Sequence, residues 1–153
     1  MAEPRRATDV ANRPLIDDFG GLLRAAAHLE RVVDKAMRDE AGISHVMFEV
    51  LLRLYRAEGA KLPIGSIDLV LTSGGMTRLV DRMTAAGLVR RVPHTTDRRI
   101  QMIETTAEAE EVFLRAAAVH ERVVERHFVA PLTPQEYQLM TSCLRRIVSG
   151  VTI

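Results

Sequence analysis

The sequence contains only one cysteine and few aromatic side chains. Its 153 residues include one cysteine, no tryptophan, two tyrosines and four phenylalanines. A lone Cys143 forms no disulfide within the chain, which is typical of cytoplasmic proteins. No apolar run approaches the roughly 20 residues of a membrane-spanning helix, and the polar start, MAEPRRATDVANRP, does not resemble a signal peptide. The sequence therefore predicts a cytoplasmic protein that makes no contact with membranes.

The usual signatures of catalysis and metal binding are also missing. The chain contains no CxxC, no HExxH and no glycine-rich phosphate loop. His120 and His127 are seven residues apart on one predicted helix. Two helical turns separate side chains by about 10 Å, too far for two histidines to share a metal ion without further ligands. The sequence therefore predicts no enzyme, no metal site and no cofactor.

The composition and the spacing of apolar residues instead predict a helical protein with an aliphatic core. Apolar residues make up 47% of the sequence, and a chain of this length suits one domain. Residues 1–13 are predicted to form a disordered arm, and residues 14–153 a single domain. Apolar residues at helical spacing predict a long helix from Pro14 to about residue 40, then a second helix that Ser44 caps and that ends near Gly59.

Further helices are predicted on both sides of a central segment. A short helix is expected over about 63–69, and a long one from Thr105 or Thr106 to about His127. Residues 133–136, Thr-Pro-Gln-Glu, form a capping box with proline at the first helical position, which marks the start of the last helix. Cys143 lies in that last helix, and we expect it to be a buried structural thiol.

The most informative segment is residues 69–104. Its helix begins at Thr72 or Ser73 and ends before Gly87, which suits a left-handed cap. One face is apolar, with the spacing i, i+3, i+4 and i+7, and consists of Met76, Leu79, Val80 and Met83. The other face carries Ser73, Thr77, Arg78, Asp81 and Arg82.

A predicted β-hairpin follows this helix, with strands at 88–92 and 100–104 and a turn that ends in Asp97-Arg98-Arg99. Six arginines and two aspartates leave a net +4 within residues 78–99, in a chain whose total is +1. A polar helix face beside an arginine-tipped hairpin is an arrangement that binds duplex DNA. The segment therefore predicts a winged helix. The alternatives are a solvated charged face, or a helical protein-interaction module whose arginine hairpin binds an acidic partner.

The paired Gly74-Gly75 is unusual in a first helical turn, because glycine there costs about 1 kcal/mol relative to alanine. Close approach of the backbone to a phosphate is one explanation, since the N–H groups at a helix start are free. Tight packing against the preceding helix is the other. The sequence leaves both open.

The helices at both ends, residues 14–59 and 106–153, flank the winged helix-turn-helix at 60–105. They carry more apolar surface than one winged helix can cover. Pairing with a second copy would bury it, and a two-fold dimer would present two recognition helices about 34 Å apart. We therefore predict a homodimer.

The chain resembles the MarR family of bacterial winged helix-turn-helix transcription regulators from about residue 15 to 149. The resemblance is carried by LTSGGMTRLVDRM at 71–83, AAGLVRR at 85–91 and the wing triplet 97–99. It implies a mainly α fold with a small β-hairpin wing, and a homodimer that binds a pseudo-palindromic operator, usually as a repressor. Two positions depart from the family pattern. Thr105-Thr106 stands where Leu-Thr is usual, and Ile67 where a small residue is usual.

The resemblance would place residues 73–86 in the major groove of double-stranded DNA and the hairpin along the minor groove. There Arg99 would probe the groove while Asp97 orients it. Arg90 and Arg91 alternate sides of a strand, so only one of them is expected to face DNA. The predicted DNA-binding residues are Ser73, Gly74, Thr77, Arg78, Arg82, Arg91, Asp97, Arg98 and Arg99.

The resemblance also implies a small effector, often aromatic or phenolic, in a crevice between the dimer helices and the winged helix. Effector and DNA would oppose each other by linkage. Residues that could line such a site, although residues of these types more often belong simply to core or surface, are His28, His45, Met47, Phe48, Arg53 and Tyr55.

Overall fold

The computed structural model describes residues 6–69 and 73–150, apart from the side chain of Ser73. These residues form mostly helix with one small sheet. The helices are α1 (Ala7–Ala11), α2 (Pro14–Ala41), α3 (His45–Arg56), α4 (Ser73–Ala85), α5 (Ala107–Val124) and α6 (Pro134–Gly150), and the strands are β1 (Lys61–Pro63), β2 (Val89–Pro93) and β3 (Gln101–Thr105). None of these helices has both the length and the apolarity that crossing a membrane requires.

The chain divides into two compact units. The terminal unit comprises residues 1–33 and 124–153, and the central unit comprises residues 34–123. The central unit therefore contains the whole segment with the predicted winged helix. The terminal unit contains most of α2 and all of α6.

The sheet of the central unit has three antiparallel strands in the order β1-β3-β2. Arg91 of β2 and Leu62 of β1 both pair with Ile103 of β3, which is fully buried. The hairpin of β2 and β3 confirms the sequence prediction, with each strand one residue later than expected. Strand β1 was not predicted, because a three-residue strand ending at a proline is too short to show alternation.

The core of the central unit lies where α4 packs with α3, the end of α2 and the sheet. Its fully buried side chains include the predicted inner face of α4, namely Leu79, Val80 and Met83, together with Met37, Val50, Leu51, Leu54, Val89 and Ile103. The Ser44 Oγ accepts a hydrogen bond from the Met47 N–H at 3.3 Å, as predicted for the cap of α3. Gly87 has the expected positive φ, 72°. These local signals were read correctly because each depends on neighbouring residues only.

Two predictions about local structure were different from what is observed. The expected helix over 63–69 is a single 3-10 turn at Ile64–Ser66, in which the Ser66 hydroxyl donates to the Pro63 carbonyl at 2.8 Å. Gly65 disfavours a longer helix, and Ile67 has extended backbone and is buried. Within the predicted disordered arm, residues 7–11 form the exposed helix α1. Thr72, one of two predicted caps of α4, lies outside the described residues.

Helix α6 begins with the predicted capping box. The Thr133 Oγ1 accepts from the Glu136 N–H at 3.3 Å, and the Glu136 carboxylate accepts from the Thr133 N–H at 2.8 Å and the Thr133 hydroxyl at 2.9 Å. Cys143 is half-buried rather than buried, and the Arg146 guanidinium lies 3.2 Å from its sulfur. The expectation of a buried thiol was wrong because α6 has no fully buried residue.

This capping box makes the terminal unit sensitive to acid. The hydrogen bonds from the Thr133 N–H and hydroxyl lower the pKa of Glu136 from its ordinary value of 4.5. A carboxyl whose pKa is lower in the folded state stabilises the fold above its unfolded pKa, and this contribution is lost as the pH falls through the folded pKa. We expect Glu136→Gln to lower the melting temperature at pH 7, and the difference from wild type to shrink below pH 4.5. Calorimetric melts from pH 7 to 3 check this, and a difference independent of pH would contradict it.

Candidate nucleic-acid interface

Helix α4 presents a polar stripe to solvent. The side chains of Thr77, Arg78, Asp81 and Arg82 are exposed, and Gly74 is exposed one turn earlier. These positions recur at three-, four- and seven-residue intervals, so they lie on one face. The buried residues of the opposite face anchor the helix in the core. The stripe is therefore carried by a rigid element.

Two arginines of the hairpin are held in ion pairs. On β2, Arg91 donates to Asp81 of α4, with 2.7 Å between Nη2 and Oδ1, and the neighbouring Arg90 donates to Glu104 of β3. Exposed pairs of this kind contribute little to stability. The pair with Arg91 nevertheless joins the wing to α4, and it offsets the single acidic side chain of that helix. Sequence reasoning missed this pairing, because ten residues separate the two partners.

The four remaining arginines of residues 78–99 form no ion pair with any residue that the structure describes. Arg78 and Arg82 lie on the stripe of α4, and Arg98 and Arg99 lie in the turn of the hairpin. An unpaired guanidinium keeps its five N–H donors for other acceptors, including phosphate oxygens and guanine edges. The uncompensated positive charge of the segment is thus concentrated at two places.

The turn of the hairpin is organised by side chains that bind the backbone. The Asp97 carboxylate accepts a hydrogen bond from the Arg99 N–H at 2.9 Å, and the Asp97 carbonyl accepts from the Ile100 N–H at 3.2 Å. The His94 ring accepts from the N–H groups of Thr96 and Asp97 through Nδ1. Asp97 therefore shapes the backbone that carries Arg99, whose own side chain pairs with no carboxylate among the residues described.

The environment of Gly74 bears on the question that the sequence left open. A methyl group added at Gly74 would meet no described atom within 4 Å. Among the described residues, therefore, no tight packing requires a glycine at this position. Gly75 lines a groove of about 510 Å³ together with Val46 of α3 and Arg78, Leu79, Asp81 and Arg82 of α4. A glycine there adds no side chain that would fill the groove.

A second cluster in the central unit consists of five rings in contact, four of them stacked and Tyr55 tilted, which we call the ring array. Phe48 stacks on His120 at 5.0 Å and on Phe113 at 5.2 Å between ring centroids, Tyr55 lies 4.8 Å from Phe113, and His45 lies 5.4 Å from His120. Phe113 and His120 are seven residues apart on α5, as Phe48 and Tyr55 are on α3. The array therefore joins two antiparallel helix faces.

The ring array contains three of the six residues predicted to line an effector site, namely His45, Phe48 and Tyr55. Burial raises the pKa of the Tyr55 hydroxyl. Arg53 is paired with the Glu49 carboxylate at 2.6 Å, and the Met47 N–H donates to Ser44. His28 is exposed and belongs to the terminal unit. Phe113 and His120 were missed, although their seven-residue spacing was a usable signal. In the part of the chain that the structure describes, no group of histidine, cysteine or acidic residues could hold a metal ion.

Comparison with known proteins agrees with this geometry. A model of the MarR family matches residues 43–101, from the residue before the Ser44 cap to the first residue of β3. The chain is 28% identical over 133 residues to the HTH-type transcriptional regulator PecS of Dickeya dadantii, covering 84% of this chain and 78% of that one. Residues 43–101 thus form a segment that matches the MarR family. The relatives that it resembles are named as transcriptional regulators rather than enzymes.

Two solved structures extend the match beyond the family segment. Sco3205, a MarR family regulator from Streptomyces coelicolor in complex with DNA, superposes with a TM-score of 0.80 at 26% identity and covers 88% of this chain and 89% of its own. The organohalide-sensing regulator RdhR-CbdbA1625 in its 2,4-dichlorophenol-bound form has a TM-score of 0.80 at 16% identity, with coverage of 99% and 89%. The predicted class, mainly α with a small β wing, is confirmed.

Proposed function

We propose that this protein is a homodimeric repressor of the MarR type that binds a pseudo-palindromic operator and releases it when a small aromatic effector binds. The DNA-binding part of this proposal rests on where the arginines without an ion pair to described residues lie. Two lie on the exposed stripe of α4 and two in the hairpin turn, so one copy offers contacts to two adjacent grooves. Sco3205, which shares the fold, was crystallised with DNA.

In this proposal α4 enters the major groove. Arg78 and Thr77 reach base edges, Arg82 reaches a base or a phosphate, and Ser73 and Gly74 lie at the end of the helix where free N–H groups favour phosphate. The open surroundings of Gly74 support this, because a phosphate needs the space that a side chain would occupy. Arg91 neutralises the Asp81 carboxylate on the face of α4. It contacts DNA directly only when this ion pair opens on binding.

The wing follows the minor groove in the same proposal. Arg99 enters it and Arg98 contacts phosphate, while Asp97 maintains the turn. Narrow minor grooves concentrate negative potential and attract arginine. The guanidinium groups of Arg98 and Arg99, which pair with no described carboxylate, have the positive charge and the planar fork geometry for this role.

Homodimer formation is supported by apolar side chains that remain exposed in the terminal unit. Eight of the ten exposed large apolar residues among those described belong to it: Leu15, Ile16, Phe19, Leu22, Leu23, Leu139, Ile147 and Val148. Soluble monomers rarely expose large contiguous apolar surfaces, and five of these side chains lie within residues 15–23 of α2. A second copy of the same chain offers an equal surface, and two-fold pairing buries both.

The proposed effector is a small aromatic or phenolic molecule. Supporting this, a protein of the same fold was obtained with 2,4-dichlorophenol bound, and the ring array of the central unit offers aromatic faces of the kind that stack on such a ligand. By linkage the phenol must weaken DNA binding by the same factor by which DNA weakens phenol binding. Operator affinity unchanged by saturating 2,4-dichlorophenol would rule out that compound as the effector.

The DNA-binding part is tested by titrating labelled duplex DNA at several salt concentrations. The four arginines of residues 78–99 that form no ion pair with described residues give eight in a dimer, so the slope of log affinity against log salt should lie between about −4 and −7. Absence of binding to any duplex at 50 mM salt would favour the protein-interaction module instead. Pull-down of genomic fragments with the full protein would then identify the operator.

A further inference from the structure

The hairpin turn contains a histidine that neither the ion pairs nor the proposed contacts use. His94 follows the last residue of β2 and is half-buried. Its Nδ1 accepts hydrogen bonds from two backbone N–H groups, that of Thr96 at 3.3 Å and that of Asp97 at 3.1 Å. The Thr96 hydroxyl lies 3.4 Å from the same nitrogen. The ring is thus at the centre of the turn that leads to Arg98 and Arg99.

These contacts require an acceptor at Nδ1. A ring nitrogen that accepts an N–H group carries no proton, so only the neutral imidazole with its proton on Nε2 can form this hydrogen-bonding pattern. An imidazolium has no acceptor at Nδ1, and both backbone N–H groups would then face a donor. Histidine is the side chain that ordinarily changes charge between pH 5 and 8. The geometry of the turn therefore depends on an acceptor that protonation of the ring would remove.

The hydrogen bonds of the turn follow one another along the chain. His94 holds the N–H of Asp97, and the Asp97 carboxylate holds the N–H of Arg99. Each acceptor fixes the backbone from which the next one projects. We propose that His94 is a positioning residue for the wing: as a neutral acceptor it sets the turn that presents Arg98 and Arg99, so its protonation weakens DNA binding. This inference rests on the proposed role of the wing.

The charged residues that follow His94 along the chain belong to the same hairpin turn. They are Asp97, which would favour the protonated ring, and Arg98 and Arg99, which would oppose it. No ion pair joins His94 to another element among the residues that the structure describes. Because a protonated ring also adds positive charge beside DNA, electrostatics alone predicts stronger binding in acid. The proposal predicts the opposite sign, which makes it testable.

Substitutions at residue 94 can separate the acceptor from the charge. The Oδ1 of asparagine occupies the position of Nδ1 relative to the backbone, and asparagine accepts from the N–H two residues later in turns of this kind. His94→Asn keeps an acceptor that does not titrate. His94→Gln is the matched control, with the same amide placed one methylene too far, and His94→Ala removes the acceptor.

The experiment measures the affinity of each full-length variant for one genomic duplex between pH 5.5 and 8 at constant salt. At pH 8, His94→Asn should bind within about 2-fold of wild type, whereas His94→Ala and His94→Gln should bind on the order of 5-fold more weakly, as expected for two lost hydrogen bonds in each wing. As the pH falls, the DNA affinity of wild type should approach that of His94→Ala. The affinity of His94→Asn should stay at its value at pH 8, apart from changes that all four proteins share.

Two results would overturn the proposal. One is wild-type affinity that rises, or stays equal to that of His94→Asn, down to pH 5.5. The other is full affinity of His94→Ala at pH 8. Thermal melts exclude unfolding, and the ¹⁵N shift of the ring reports the tautomer directly. Failure of the proposed function is distinct: wild type would then bind no duplex, or Arg99→Ala would bind as wild type does.

Discussion

Arg99→Ala is expected to weaken operator binding by about 1–3 kcal/mol for each wing, which is about 2–6 kcal/mol for a dimer, so that the affinity falls roughly 30-fold or more. The side chain of Arg99 forms no ion pair with described residues, so its removal leaves no buried partner and no broken network. Its N–H, which binds Asp97, is retained in the variant. Folding should therefore be unaffected, and the loss should be confined to DNA binding. Fluorescence anisotropy at fixed salt measures it.

Two further variants give this prediction its controls. Arg99→Lys keeps the charge but loses the planar fork, so it should recover part of the affinity. Arg115→Ala removes the same charge from α5, where Arg115 lies 3.5 Å from Glu111, and should bind DNA as wild type does. Equal losses for Arg99→Ala and Arg115→Ala would mean that only net charge matters. Full affinity of a folded Arg99→Ala protein would overturn the proposed wing contact.

The double substitution Phe19→Asp with Leu23→Asp is expected to convert the protein to monomers and to abolish operator binding at working concentrations. Phe19 is 61% exposed and Leu23 54% exposed in the single chain. Neither contributes to the core of one copy, so each copy should still fold. In a dimer the two carboxylates of each copy would be desolvated at the interface, which costs several kcal/mol for each charge. A monomer contacts only one half-site. It lacks the gain in DNA affinity that a linked second copy provides, which is on the order of 100-fold or more.

Analytical ultracentrifugation distinguishes the two states. The monomer has a mass of 17.1 kDa, so a dimer has twice that mass. Leu114→Asp is the matched control, because Leu114 is 61% exposed on α5 but lies outside the terminal unit. It should remain dimeric and keep its affinity. If wild type sediments as a 17.1 kDa particle at micromolar concentration, or if the double variant remains a dimer, the proposed interface is wrong.

Much of the local structure could be predicted from the sequence because its causes are local. The period of Met76, Leu79, Val80 and Met83 marked the buried face of α4, and all four are buried. Ser44 and the capping box at 133–136 marked helix starts through hydrogen bonds that span three residues. Where a local signal was weak the prediction failed, as at 63–69, where a proline start suggested a helix but only one turn forms.

The sequence by itself determined that a basic helix and hairpin would stand beside each other, because both are local elements joined by a short turn at Gly87. Only the tertiary structure decided which arginines are free. The partner of Arg91 is on α4 and that of Arg90 is on β3, so neither pairing follows from spacing along the chain. Strand β1 and the ring array likewise needed the fold, since they join residues more than 38 positions apart. Contacts of this kind depend on how whole elements pack, and no local pattern of residues encodes that packing.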